Sequence, residues 1–246
     1  MPAFTRNILD WLGERGFVVL LAMLLVVGGT WGFIALADEV NEGDTQHFDK
    51  LIWEKTLSRT DDPSDTVGPR WLGEVMRDFT ALGGVAVLSI ITVTVAGYLV
   101  LDGKRRAATF VLLSILGGLL LSTALKRSFD RKRPPMELRA AYVYTSSFPS
   151  GHSMLSATVY LTLGSLLMRF QPRRRLKIYC LLIAVILTML IGISRVYLRV
   201  HWTTDVLAGW TAGLVWALIC WLAARVLQKQ HTIERDYETT TRQPSS

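Results

Sequence analysis

The chain has 246 residues, half of them hydrophobic, with a mean hydropathy of +0.33 and only 19% charged. Soluble domains average about 25% charged residues, and here the shortfall is concentrated in long uncharged stretches, which excludes an ordinary soluble domain and indicates a membrane protein. The net charge of +7 would suggest nucleic acid in a soluble chain, but most of the excess lies in short loops between apolar runs and points to membrane topology and an anionic lipid or substrate.

Residues 1–16 place Phe4, Ile8, Leu9, Trp11 and Leu12 among charges. They suit an amphipathic helix on the membrane surface or an ordinary tail into the first span. Six apolar runs follow: Phe17–Leu36, Leu82–Leu101, Ala107–Leu125, Ser153–Met168, Ile178–Ile193 and Val206–Leu227. A span takes about 20 residues, so the chain reads as an all-α bundle of six transmembrane helices. Ala35-Leu36-Ala37 resembles a signal-peptidase site, yet the run before it exceeds the ~7–15 residues of a signal sequence; an uncleaved first span is expected. Cys180 and Cys220 fall inside apolar runs and read as small buried hydrophobes.

The first loop, residues 38–79, holds eleven acidic and five basic side chains. Trp53, Trp71 and Leu72 suggest that it packs on the membrane surface, with a short amphipathic helix over Arg70–Phe79. The loops at Asp102–Arg106 and Arg169–Lys177 are basic, so the positive-inside rule puts them and both termini in the cytoplasm. The loop 126–152 breaks the rule. It belongs outside, yet it carries Lys126, Arg127, Arg131, Lys132, Arg133 and Arg139. Retained positive charge there suggests an anion-binding function; the competing explanation is an inverted topology. The resulting layout is one six-span domain over 17–227 in the cell membrane, its site facing the periplasm or exterior, and a polar tail, 228–246, expected to be disordered.

Three clusters emerge on that outer face by span counting alone: Lys126 with Arg133-Pro134, then Pro149-Ser150-Gly151-His152, then Ser194-Arg195 with His201 and Asp205. Lys126, Arg133 and Arg195 supply cations, and arginine forks match phosphate oxygens. Ser150 and Gly151 offer a hydroxyl and a backbone N–H. His152 and His201 stand at the starts of inward-running helices, whose positive dipole ends favour an anion. Asp205, four residues after His201, can orient its imidazole and leave the far nitrogen as a nucleophile. Singly, each feature has a plainer explanation: snorkelling arginines, a helix-start serine, an Arg195–Asp205 structural ion pair. Jointly, clustered ionisable groups at membrane spans mark function.

The three clusters spell Lys-x6-Arg-Pro, Pro-Ser-Gly-His and Ser-Arg-x5-His-x3-Asp. With every position matched, the chain resembles the type 2 phosphatidic acid phosphatases over roughly Leu82–Leu227. That resemblance implies a phosphohistidine on His201, oriented by Asp205. It implies that His152 protonates the leaving oxygen and then activates water, and that Lys126, Arg133, Ser150, Gly151 and Arg195 bind the phosphoryl oxygens. No metal and no cofactor is expected, since the signature holds one carboxylate. The expected partners are membrane lipids and a lipid phosphate substrate: phosphatidic acid, phosphatidylglycerol phosphate or a polyprenyl diphosphate such as undecaprenyl diphosphate. Transfer of the phosphoryl group to another lipid is the alternative reaction, and a lipid transporter or scaffold with a retained site the alternative class. Motifs of this kind carry no information on oligomeric state.

Overall fold

The computed structural model describes residues 16–56, 67–135 and 146–229. Among them are eight helices and no strand: α1 (Gly16–Glu42), α2 (Gln46–Glu54), α3 (Arg70–Leu82), α4 (Val85–Leu101), α5 (Arg105–Ser128), α6 (Gly151–Phe170), α7 (Arg174–Tyr197) and α8 (Thr203–Lys229). Of the expected N-terminal segment only Gly16 is described, at the start of α1, and of the tail expected to be disordered only Gln228 and Lys229, which end α8 as helix; Arg139 lies outside the described residues. Five helices, α1 and α5 to α8, are long and apolar enough to cross a membrane. α3 and α4 reach that length and hydropathy only as a pair and meet at a 50° bend, so the described residues hold five candidate spans, or six if the bent pair is one. The sequence reading placed one straight span at Leu82–Leu101; the structure starts it at Val85, behind an elbow at Gly83-Gly84.

Packing at the elbow requires glycine. A Cβ on Gly83 would lie 2.5 Å from Ile191 Cγ2 of α7, so only glycine lets the two helices approach there. Breaking a helix frees backbone carbonyls that a bilayer cannot satisfy. The Tyr160 hydroxyl of α6 donates to one of them, Leu82 O, at 2.9 Å.

α6 is the central helix, packed on α5, α7 and α8 and buried without interruption from Ser153 to Tyr160. Its core is small and polar, with Ser153, Ser156 and Thr158 fully buried. Small residues let helix backbones come close where lipid removes the hydrophobic drive between helices. A Cβ on Gly209 of α8 would sit 2.6 Å from Ser150 O, and one on Gly213 2.5 Å from Met154 O. Indole N–H groups tie the bundle further: Trp210 donates to Thr188 O and Trp216 to Ser114 O. Large apolar side chains such as Trp31, Ile90, Leu113 and Ile178 point outward, the inside-out pattern that a lipid solvent covers.

Two short helices occupy the polar loop. α3 meets the expectation for Arg70–Phe79 and extends it to Leu82; its Leu72 packs on Tyr197, Leu198 and Val200. α2 was not expected. One face of it, Asp49 and Trp53 four residues on, turns toward the start of α8, where Trp53 meets Trp202 with ring centroids 6.3 Å apart.

Candidate active site

Helix polarity alternates through the bundle, so the ends of α5 and α7 and the beginnings of α6 and α8 meet. All three sequence clusters come together there. The α7–α8 connection is tight: Leu198 N–H, Arg199 N–H and Val200 N–H donate back to Ser194, Val196 and Arg195 carbonyls. Arg199 turns the chain at φ 57°, an uncommon conformation for a side chain with a Cβ. Leu198 and Val200 are buried beside it. His201 follows this anchored turn and is itself only 2% exposed.

The two ring nitrogens of His201 have different neighbours. Nδ1 lies 3.4 Å from Asp205 Oδ2. Nε2 lies 3.1 Å from Arg133 Nη1. A guanidinium carries donors only, so Nε2 holds the lone pair and Nδ1 holds the proton, facing Asp205. Burial holds the imidazole pKa well below its ordinary 6.5; the Asp205 contact opposes this, and Arg133 and Arg195 add to it. The ring is therefore neutral, with its free lone pair directed at a cation.

Asp205 is fully buried and crowded with donors. Its Oδ2 accepts from the Ser147 hydroxyl at 2.5 Å and from Trp202 N–H at 2.9 Å, and its Oδ1 from Arg131 Nη1 at 2.6 Å. The plain alternative of an Arg195–Asp205 ion pair is not what the structure contains. Arg195 donates instead to Thr80 Oγ1 of α3 at 2.7 Å, while Arg131 takes the carboxylate. Arg131 also bonds Asp49 Oδ2 at 2.7 Å, and Asp49 in turn accepts from Thr204 N–H and Thr204 Oγ1.

The phosphate-binding candidates surround this pair. Arg133 donates to Val200 O and Ser146 O, and Lys126 Nζ to the same Ser146 O at 3.0 Å. Lys126 crosses Gly151 so closely that a Cβ there would sit 2.9 Å from its Cε, which explains glycine at that position. Arg195 is 4% exposed and its Nε has no partner. Ser150 is fully buried; its N–H donates to Asp205 O and its hydroxyl accepts from Ser153. The Gly151 and His152 N–H groups open α6 and so have no intrahelical acceptor. His152 packs at the Gly83 elbow, and the charges of Arg195, Lys126 and Arg133 all act on it. All eight candidates thus occupy one end of the bundle.

Sequence reasoning missed Asp49, Ser147 and Thr204, and counted Arg131 only as loop charge. Nothing in their spacing distinguishes them, because Asp49 lies 155 positions before its partner Thr204. The available signal was a cation, Arg131, two residues before the motif arginine Arg133.

Two openings flank the cluster. A polar cavity of about 560 Å³ borders Arg133, Asp49 and Trp202. An apolar groove of about 190 Å³ runs between α4, α5 and α6 and includes Leu155, one turn from His152. Among the described residues there is no group of three or more His, Cys, Asp or Glu placed to hold a metal ion.

A helical membrane bundle that ends in a neutral, oriented histidine beneath fixed cations defines an enzyme built for an anionic substrate. The family model for the PAP2 superfamily matches residues 107–229. Phosphatidylglycerophosphatase B of Bacillus subtilis (strain 168) is 33% identical over 188 residues, 74% of this chain and 86% of its own. The undecaprenyl-diphosphatase of Sulfolobus acidocaldarius is 27% identical over 120 residues, 47% of this chain and 54% of its own. The crystal structure of a transmembrane PAP2 type phosphatidylglycerolphosphate phosphatase from Bacillus subtilis superposes with a TM-score of 0.74 at 30% identity, covering 82% of this chain and 96% of that one. The chain belongs to the PAP2 superfamily and is a membrane phosphatase.

Proposed function

We propose that the protein hydrolyses the terminal phosphate of a membrane lipid through a phosphohistidine on His201, with residues 17–227 acting as one catalytic domain. The observation that carries this reading is the lone pair of His201 Nε2 facing Arg133 Nη1 while Nδ1–H faces Asp205. A phosphoryl group entering between ring and guanidinium takes over the arginine's donors and presents phosphorus to Nε2. Lys126, Arg195, the Ser150 hydroxyl and the Gly151 N–H hold its remaining oxygens. An Nε2–P bond forms as the P–O bond to the lipid breaks. His152, whose protonated form the bound dianion favours, delivers a proton to the departing oxygen. It then takes a proton from the water that cleaves the Nε2–P bond, and phosphate leaves.

The electrostatics support a dianion. Lys126, Arg131, Arg133 and Arg195 face Asp49 and Asp205, so these side chains alone leave two positive charges for the ligand to meet. The apolar groove beside Leu155 supports a lipid as leaving group, because it lies on the His152 side, where the departing oxygen must be. Phosphatidylglycerol phosphate is the first substrate to test, given the extent of the Bacillus match, and undecaprenyl diphosphate the second. The site faces the exterior or periplasm, since the basic segments Lys104–Arg106 and Arg173–Lys177 lie at the opposite end of the bundle.

Phosphate release by the purified protein from phosphatidylglycerol phosphate, undecaprenyl diphosphate, phosphatidic acid and a soluble phosphate ester tests the reading. Release from lipids well above release from the soluble ester is expected; the reverse order rejects a lipid substrate. For orientation, Lys132→Cys is expected to react with an impermeant maleimide in intact cells, and reaction only after lysis inverts the topology.

A further inference from the structure

Asp49 stands outside the three motifs, on a helix the sequence did not announce, yet it is 1% exposed. A buried carboxylate is costly unless paired and hydrogen-bonded. Its partners are specific. Oδ1 accepts from Thr204 N–H at 3.0 Å, an N–H in the first turn of α8 that has no intrahelical acceptor. Oδ2 accepts from Thr204 Oγ1 at 2.6 Å and from Arg131 Nη2 at 2.7 Å. Thr45, immediately before α2, gives its hydroxyl oxygen to Arg131 Nη2 as well, at 3.1 Å. The other fork of Arg131 donates to Asp205 Oδ1 and to Thr204 Oγ1. One guanidinium therefore bridges two buried carboxylates, one of which orients His201.

We propose that Asp49 is a positioning residue for phosphoryl transfer, acting through Arg131 on Asp205; this rests on the reading of His201 as nucleophile. The physical reason is how Arg131 shares its charge. When Nε2 bonds phosphorus, the imidazole becomes a cation, and Asp205 stabilises it only as far as its own charge is not already neutralised. Paired one-to-one with Arg131, Asp205 loses much of that capacity. Asp49 takes half of the guanidinium fork, so the Asp49–Arg131–Asp205 group keeps a net negative charge beside the ring. It also holds Asp205 Oδ1 on Arg131 and leaves Oδ2 for His201. The loop helix α2 is thereby part of the catalytic geometry.

The test is Asp49→Asn in the full-length protein, which keeps the side chain's shape and removes its charge. Expected is a loss of tenfold or more in kcat, with KM within about threefold, because Lys126, Arg133 and Arg195 are untouched. In an Arg131→Gln background the same substitution is expected to cost less than twofold, since its route to Asp205 is already cut. An equal loss in both backgrounds means that Asp49 only caps α8 and overturns the proposal, as does kcat within twofold of wild type. If Asp49→Asn does not fold, Arg131→Lys with Asp49 intact asks the same question. An ammonium cannot replace the two-pronged fork, so a tenfold loss in kcat is expected and an unchanged kcat overturns the proposal. His201→Ala, assayed alongside, separates the two readings: an active His201→Ala protein removes the nucleophile, whereas an inactive one with a fully active Asp49→Asn removes only the relay.

Discussion

Arg133 Nη1 donates a 3.1 Å hydrogen bond to Nε2 of His201, the nitrogen turned away from Asp205. This contact assigns the tautomer, places a cation where an anion's oxygens would lie, and links the first sequence cluster to the third.

Removing the proposed nucleophile is the most direct test. His201→Ala is expected to lower phosphate release by roughly a thousandfold or more while the detergent-solubilised protein keeps its elution profile. Near-normal release, measured colorimetrically, would sink the phosphohistidine mechanism.

Arg133 acts as a fork, bonding Val200 O, Ser146 O and His201 at once. Arg133→Lys keeps the charge and loses this geometry. A fall of about 10²–10³ in kcat/KM is expected, and a lysine variant with wild-type kinetics would show that charge alone suffices.

The depressed pKa of His201 has a sign that can be checked. Between that low folded value and the ordinary 6.5, the unfolded chain binds more protons at this site than the folded chain. Its contribution to stability is thus full above pH 6.5 and is lost as pH falls toward the folded value. Free-enzyme activity follows the same group at its folded pKa: kcat/KM for a lipid diphosphate should hold through pH 6.5 and decline only well below it. A decline centred above pH 7 would mean that His201 is not held neutral.

Two glycines should respond differently to alanine. At Gly151 the added methyl meets Lys126 Cε, the far part of a flexible side chain, so Gly151→Ala is expected to fold and to raise KM by displacing the ammonium. At Gly213 it meets Met154 O, a backbone atom of the central helix, so Gly213→Ala is expected to cost about 1–3 kcal/mol of stability. Thermal unfolding in detergent and steady-state kinetics distinguish the two; equal melting temperatures would contradict the packing argument.

The donor set at the site is basic, and its carboxylates Asp49 and Asp205 are both engaged by Arg131. Full activity is therefore expected in excess chelator, and inhibition by vanadate, an analogue of pentacoordinate phosphorus. An absolute requirement for added magnesium would contradict the role given to the fixed cations.

Much of this was legible because a bilayer imposes simple rules. Apolar runs of span length must be helices, consecutive spans alternate in direction, and residues at alternate ends therefore share a face. That logic alone brings Lys126, Ser150, His152, Arg195 and Asp205 to one end of the bundle. It did not reach the α3–α4 elbow, because the apolar run continues through Gly83, and the close approach of Ile191 that requires glycine there exists only in the folded bundle. Nor did it reach α2, whose short amphipathic pattern is indistinguishable from any polar loop.

Span order and motif spacing determined the kind of fold and the end of the bundle where the candidate residues gather, and singled out His201 as the candidate nucleophile, because each depends on local sequence and helix direction. Only the tertiary structure decided which charges pair. Arg195 turned to Thr80 and not to Asp205, and Arg131 came to join Asp205 with Asp49. A buried ion pair is chosen by distances of a few ångströms between segments far apart in the chain, and no spacing along the sequence encodes those distances.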